Sequence, residues 1–140
     1  MPKTPFLTVD CVLFEGESVL LVRRGCEPHK GCLALPGGFV DIGETVEEAC
    51  SRELCEETSI VIKPENLILI GVYSAPERDQ RFHTVSIAFL GKSSLKNIKA
   101  GDDALSVELV HNWKTADIAF DHKTIIEEAD NLRKRLGYAA

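Results

Sequence analysis

Between Asp41 and Glu57 the chain places seven acids, Asp41, Glu44, Glu47, Glu48, Glu53, Glu56 and Glu57, against one base, Arg52. This segment alone carries the whole net charge of −6, so the remainder of the chain is balanced. Such a run is either a solvated acidic helix face or a cation site. Thr45 to Thr58 contains no Gly or Pro, and Thr45 with Glu48 three residues on has capping-box spacing, which predicts a helix. At about 100° per residue, Glu53, Glu56 and Glu57 share one arc with Val46, Ala49 and Cys50, while Glu47 and Glu48 fall on the outer face with Ser51 and Thr58. The outer pair reads as solvated charge, favourable near a helix N-terminus. The other three repel one another and lose hydration against a packed side. They can protonate, pair with bases or hold a divalent cation. One arginine cannot neutralise three acids, and clustered hard oxygen ligands suit Mg²⁺ or Mn²⁺.

Pro36-Gly37-Gly38 stands just ahead of that helix. A glycine pair lets backbone carbonyls or amides approach an ion or a phosphate with no side chain in the way. Arg23, Arg24, Arg78, Arg81 and His83 could clamp phosphates or a terminal sugar, arginine being favoured for its bidentate geometry. His29, His111 and His122 read as structural, with His122 in the first turn of the last helix, and Trp113 reads as core. Five cysteines, at 11, 26, 32, 50 and 55, include no C-x-x-C pair. They read as reduced thiols, several packed as small hydrophobes, with a zinc site or a thiol nucleophile as the alternatives.

The elements that must position these groups follow from pattern. Phe6 to Phe14 and Ser18 to Arg23 read as strands paired in a hairpin about Glu15-Gly16-Glu17. Leu33 to Leu35 is a short extended piece stopped by Pro36-Gly37-Gly38, and Phe39-Val40 resumes a strand. Leu67 to Tyr73, His83 to Leu90 and Ser106 to His111 read as further strands. Asp121 to Leu136 is a second amphipathic helix, with Arg133-Lys134-Arg135 in its last turn and Gly137 after it. Strands, helix, strands, helix suggests a mixed sheet flanked by helices on both faces. The 140 residues suffice for one domain, 44% of them are apolar, and the core needs no metal or disulfide staple. The acidic balance argues against a nucleic-acid-binding module. No apolar run approaches the ~20 residues of a membrane span, and Met1-Pro2-Lys3-Thr4 leads to no signal-peptide core, so a cytoplasmic protein is expected.

Gly38, Glu44 and the run Arg52-Glu53-Leu54-Cys55-Glu56-Glu57-Thr58-Ser59-Ile60 resemble the Nudix box. Every fixed position matches except Ser59, where the family has the Gly that ends the helix. The resemblance runs on through Val22-Arg23-Arg24-Gly25, Ala34 to Val40, the Tyr73 to Arg81 loop with Pro76 sixteen residues past Ile60, Gly101 to Ala104, and Ala119 to Lys123. These look like the ADP-ribose pyrophosphatase branch, which usually carries an aromatic at the place of Leu33 and often another near Leu109.

The resemblance implies an α/β fold of the α+β kind, a Nudix-like α/β/α sandwich, spanning residues 1–140 as one domain. It implies a Mg²⁺-dependent hydrolase, with Mn²⁺ as an option, that cuts the pyrophosphate of a nucleoside diphosphate linked to another group, ADP-ribose first. The cation neutralises the shielding oxygens, orients a water and lowers its pKa. Glu53, Glu56 and Glu57 are then ligands, with the backbone carbonyl of Gly37 or Gly38 as another, and Glu53 alternatively supports the base. Arg52 and Glu44 brace the loop and helix as an ion pair. The general base is a box glutamate or an acid nearer the C-terminus, Glu108, Asp102 or Asp103. Two alternatives are a house-cleaning (d)NTP pyrophosphohydrolase and a non-catalytic ADP-ribose-type sensor. The end at Ala140 is expected to leave no room for a sensor's added DNA-binding domain. A small-molecule substrate, no nucleic-acid or membrane partner, and a homodimer as an option complete the expectation.

Overall fold

The computed structural model describes residues 1–92 and 104–137; the side chains of residues 104 and 105 are outside it. Among the described residues eight strands form two sheets. The first has the order β5 (Gly37–Phe39), β1 (Phe6–Val12), β7 (Thr84–Leu90), β6 (Ile68–Tyr73). It is mixed: β1 runs parallel to β7, with Phe6 opposite Thr84 and Val12 opposite Leu90, and its other pairs are antiparallel. In the second sheet β3 (Ser18–Arg24) pairs with β2 (Phe14–Glu15), β4 (Leu33–Ala34) and β8 (Ala104–Val110), all antiparallel.

The strands at the centre are buried on both faces, which is why they read as near-continuous apolar runs. Alternate residues go to opposite cores. On one side Val12, Val19, Leu21, Leu33 and Leu35 meet Ile125, Ile126 and Ala129 of α2 (His122–Arg135). On the other, Val9, Cys11, Leu13, Leu20 and Phe89 meet Ala49, Cys50 and Leu54 of α1 (Val46–Thr58). Trp113 is buried and donates its indole N–H to the Glu17 carbonyl at 3.2 Å, as a core tryptophan must. Leu33 is buried as well, so it faces the core and not solvent. Among the described residues all five cysteines are free, and no helix is long and apolar enough to cross a membrane.

Two expectations are corrected. The first strand does not form a long hairpin with the second. It ends at Val12 and pairs with β5 and β7, and only Phe14-Glu15 folds back on Ser18-Val19 around Gly16, whose φ is 60°. A period-two pattern marks faces but not partners, and parallel pairing with a strand more than 70 residues away leaves no local signal. Gly37 and Gly38 likewise do not stop a strand. They are one, in register with Asp10 and Val9.

The α1 cap is as spaced: the Thr45 hydroxyl accepts from the Glu48 N–H at 3.0 Å, and the Glu48 carboxylate accepts from the Thr45 N–H at 2.8 Å. At the other end Ser59 takes the left-handed conformation, φ 67°, while its N–H closes on the Cys55 carbonyl at 2.9 Å. That geometry is the one glycine adopts without cost. Ser59→Gly is therefore expected to stabilise the fold by about 0.5–1 kcal/mol, the strain relieved slightly exceeding the entropy glycine adds to the unfolded chain. Thermal melts should show a rise of roughly 2–4 °C with unchanged turnover.

Candidate active site

A cleft of about 660 Å³ is walled by strands of both sheets, by α1, by the loop between β6 and β7, and by the start of α2. That volume suits a nucleotide-sized ligand. From α1 come Glu53, Glu56 and Glu57, and from β5 Gly37 and Gly38. Arg23 and Arg24 reach it from the end of β3, and Arg78 and Arg81 from the loop.

The carboxylates are tied down individually. Glu57 Oε1 accepts the Gly37 N–H at 2.9 Å. Arg52 lies behind the cleft lining and donates to Glu53 at 2.9 Å, to Glu56 at 3.3 Å, to Glu44 at 2.6 Å and to the Phe39 carbonyl at 3.0 Å. One guanidinium thus joins helix, loop and β5. Burial, only partly offset by Arg52, raises the Glu53 carboxyl above its usual value. Glu44 is the opposite case: its bonds to Arg52, then to the Asp41 N–H, lower it from 4.5 to about 2. A carboxyl held down on folding stabilises the native state above its unfolded pKa, and that contribution disappears as pH falls from about 4.5 through 2. Wild type and Glu44→Gln should therefore differ in Tm at pH 6 and converge toward pH 2.

Divalent-cation chemistry fits this donor set. Asp41, Glu44, Glu53 and Glu56 surround the single Arg52, and Glu57 lines the same cleft as Glu53 and Glu56, leaving an excess of hard, negative oxygen. Gly38 lies so close to Glu53 that a Cβ there would stand 2.5 Å from its carboxyl carbon. No group of three or more His, Cys, Asp or Glu among the described residues stands together at cation-holding spacing; Glu53 and Glu56 are engaged by Arg52 and Glu57 by the Gly37 N–H.

The basic wall is more heterogeneous. The side chain of Arg78 is 5% exposed and grips Asp121 at 2.6 and 2.9 Å and the Thr84 hydroxyl at 2.7 Å. Arg81 chelates Asp79 at 2.8 and 3.1 Å, and Arg23 binds Glu108 at 2.8 and 3.2 Å. Arg24 donates to the Pro28 carbonyl at 2.7 Å and lies over the Phe120 ring, 5.1 Å from its centroid. Burial, with Arg81 nearby, pulls Arg24 below the usual guanidinium value. Besides Arg52 and Glu44, two described candidates fall outside the lining: His83 bonds to the Ser74 carbonyl at 2.9 Å, and Glu108 is held by Arg23 and the Ser106 hydroxyl, which lower its carboxyl. Asp102 and Asp103 lie outside the described residues.

Sequence reasoning missed Asp10, Asp79, Phe120 and His122, all of which line the cleft. A signal existed for one of them. Asp10 interrupts an apolar run that includes Val9, Cys11 and Val12, and a charge inside a buried strand calls for a partner. Phe120, with φ 55° and its ring against Arg24, His29 and His122, had no such mark.

The NUDIX domain family model matches residues 4–133. The chain is 45% identical over 124 residues to an ADP-ribose pyrophosphatase of Methanocaldococcus jannaschii, covering 89% of this chain and 72% of that protein. Among solved structures it is similar to the NUDIX domain of Shewanella oneidensis NrtR complexed with ADP ribose, with a TM-score of 0.84, 30% identity, and coverage of 96% of this chain and 90% of the other. It is also similar to a bifunctional NMN adenylyltransferase/ADP ribose pyrophosphatase from Francisella tularensis complexed with AMP and a Mn ion. There the TM-score is 0.78 and the identity 32%, over 96% of this chain and 42% of the other.

Proposed function

This chain belongs to the Nudix family, and from that membership we propose that it hydrolyses ADP-ribose to AMP and ribose 5-phosphate in a divalent-metal-dependent reaction. The observation that carries the reading is one cleft that gathers both charges, with Glu53, Glu56 and Glu57 from α1 and Arg23, Arg24, Arg78 and Arg81 from β3 and the loop between β6 and β7. A pyrophosphate needs both, since its oxygens are anionic yet must be brought beside carboxylates.

Glu53, Glu56, Glu57 and the backbone of Gly37 or Gly38 are proposed to hold the cation, Mg²⁺ with Mn²⁺ as substitute. When bound, that cation neutralises phosphate oxygens and acidifies a water. The protein's own groups do the rest. Arg52 and Glu44 brace α1 against the loop before it and so set where the acids point. Arg24, stacked on Phe120, is the proposed clamp for the phosphate or terminal ribose. Glu108 is committed to Arg23 and Ser106, which leaves the proton acceptor as a box glutamate, with Glu53 alternatively in that role, or as Asp102 or Asp103. The proposed setting is the cytosol, with residues 1–140 as a single Nudix domain acting on a small molecule. The family match over residues 4–133 supports that extent.

The test is ADP-ribose with Mg²⁺ and product identification by mass spectrometry. AMP with ribose 5-phosphate, abolished by EDTA, is expected. Triphosphates turned over faster would reassign the substrate, and tight calorimetric binding without product would make the chain a sensor.

A further inference from the structure

In the lining of the cleft lies a buried polar relay that the hydrolysis as described does not use. It begins where the chain crosses from the second sheet to the first, through Leu35 and Pro36 between β4 and β5. Both residues are buried, and a backbone that leaves its ladder inside a protein must find new partners. The Pro36 carbonyl accepts from the Cys11 N–H at 2.9 Å, and proline has no N–H to satisfy. The Leu35 N–H is taken by a side chain far along the sequence: it donates to His122 Nδ1 at 3.0 Å.

That bond shows where the ring carries its proton. A backbone N–H only donates, so Nδ1 must be the bare, accepting nitrogen, and in the neutral ring the proton sits on Nε2. Nε2 faces Asp10 Oδ1 at 3.4 Å, and the other Asp10 oxygen accepts the Ser86 hydroxyl. Asp10, Ser86 and His122 are all buried. Asp10 is also the direct partner of Gly37 in the β1–β5 register, and a Cβ on Gly37 would stand 2.7 Å from its Oδ1. The same carboxylate therefore orients the imidazole and backs the glycine whose N–H binds Glu57.

We propose that Asp10 and His122 are positioning residues: Asp10 selects the Nε2–H tautomer of His122, and the ring then holds the Leu35 amide so that Gly37 and Gly38 present their backbone to the cleft. Neither residue handles the reacting atoms. Resting on the Nudix reading for its kinetic consequence, the arrangement has a structural one that stands without it. The fold needs a donor satisfied at Leu35, and the cleft needs that crossing held in one place. Outer partners of this kind are typically worth about 10–100-fold in metal affinity or activity.

The experiment compares Asp10→Asn, His122→Asn and His122→Gln with the unaltered full chain. His122→Asn places an accepting oxygen near the position of Nδ1, whereas His122→Gln reaches toward Nε2. In Asp10→Asn the new amide can donate to Nε2, which drives the proton to Nδ1 and sets two donors face to face at Leu35. Nitrogen-15 NMR of the imidazole should show the Nε2–H tautomer in wild type and its loss in Asp10→Asn. Amide exchange at Leu35 should quicken in Asp10→Asn and His122→Gln and stay slow in His122→Asn. Mn²⁺ affinity and kcat should fall about 10–100-fold in the first two, with KM for ADP-ribose little changed and His122→Asn partly rescued. The proposal is overturned by an Nδ1–H tautomer in wild type, a measurement that needs no variant to fold. Unaltered Leu35 exchange and Mn²⁺ affinity in a folded Asp10→Asn would overturn it equally. If wild type releases no AMP, the functional reading fails while the tautomer, exchange and Mn²⁺ measurements still decide this one.

Discussion

Glu56→Gln and Glu57→Gln are each expected to slow ADP-ribose turnover by about two to four orders of magnitude while the chain stays folded. The size follows from what a held cation contributes, several kcal/mol of charge stabilisation, at about 1.4 kcal/mol per factor of ten. Folding survives for a different reason in each case. Glu56 is exposed and bonds to Arg52 on the helix surface, so an isosteric amide disturbs no core. Glu57 accepts from the Gly37 N–H through an oxygen that glutamine also offers, so the contact between α1 and β5 is kept. Both variants should melt within about 1 °C of wild type, since surface changes away from special features cost little. Glu47→Gln, on the outer face of the same helix, should be silent and separates loss of a ligand from loss of general negative charge. Unchanged kcat in both Glu56→Gln and Glu57→Gln would remove the metal-site assignment altogether.

Gly38→Ala is expected to cost about 10²-fold in turnover and to weaken Mn²⁺ binding, with only a small change in Tm. A Cβ at Gly38 would meet the Glu53 carboxyl at 2.5–2.6 Å. The obstacle is the tip of a side chain, which can swing away, so β5 keeps its pairing with β1. Glu53, however, must leave the place where Arg52 holds it. Misplacing one such group by about 1 Å is enough for a 10²-fold loss. The neighbouring Gly37→Ala makes the contrast, because there the new atom collides with the Val9 carbonyl and the Cα of Asp10. Backbone cannot step aside, so that variant should lose stability first and activity only as a consequence. Equal melts and unequal Mn²⁺ titrations for Gly38→Ala against wild type would bear out the reading; equal titrations would refute it.

The local elements were legible because their causes are local. The capping box of α1 and the apolar faces of both helices follow from spacing within a few residues. So did the acids of α1, since helical geometry alone puts Glu53, Glu56 and Glu57 on one arc. What failed was pairing. The first strand's partners, Gly37–Phe39 and Thr84–Leu90, lie far along the chain, and alternation carries no address. The arginines show the same limit from the side of chemistry. Arg23, Arg24, Arg78 and Arg81 do gather at one cleft, but sequence could not tell that Arg78, Arg81 and Arg23 are engaged by Asp121, Asp79 and Glu108.

By itself the sequence determined the charge, which is composition alone, and the two helices, the capping box of α1 and the grouping of carboxylates on one helical face, which depend on residues three or four apart. Only the tertiary structure decided that the glycine pair is a strand under Glu53, that one guanidinium ties four acids together, and that Asp10, Leu35, Ser86 and His122 meet. Those contacts join segments up to 112 residues apart, Asp10 and His122 among them, and are set by how two sheets pack, which no window of sequence contains.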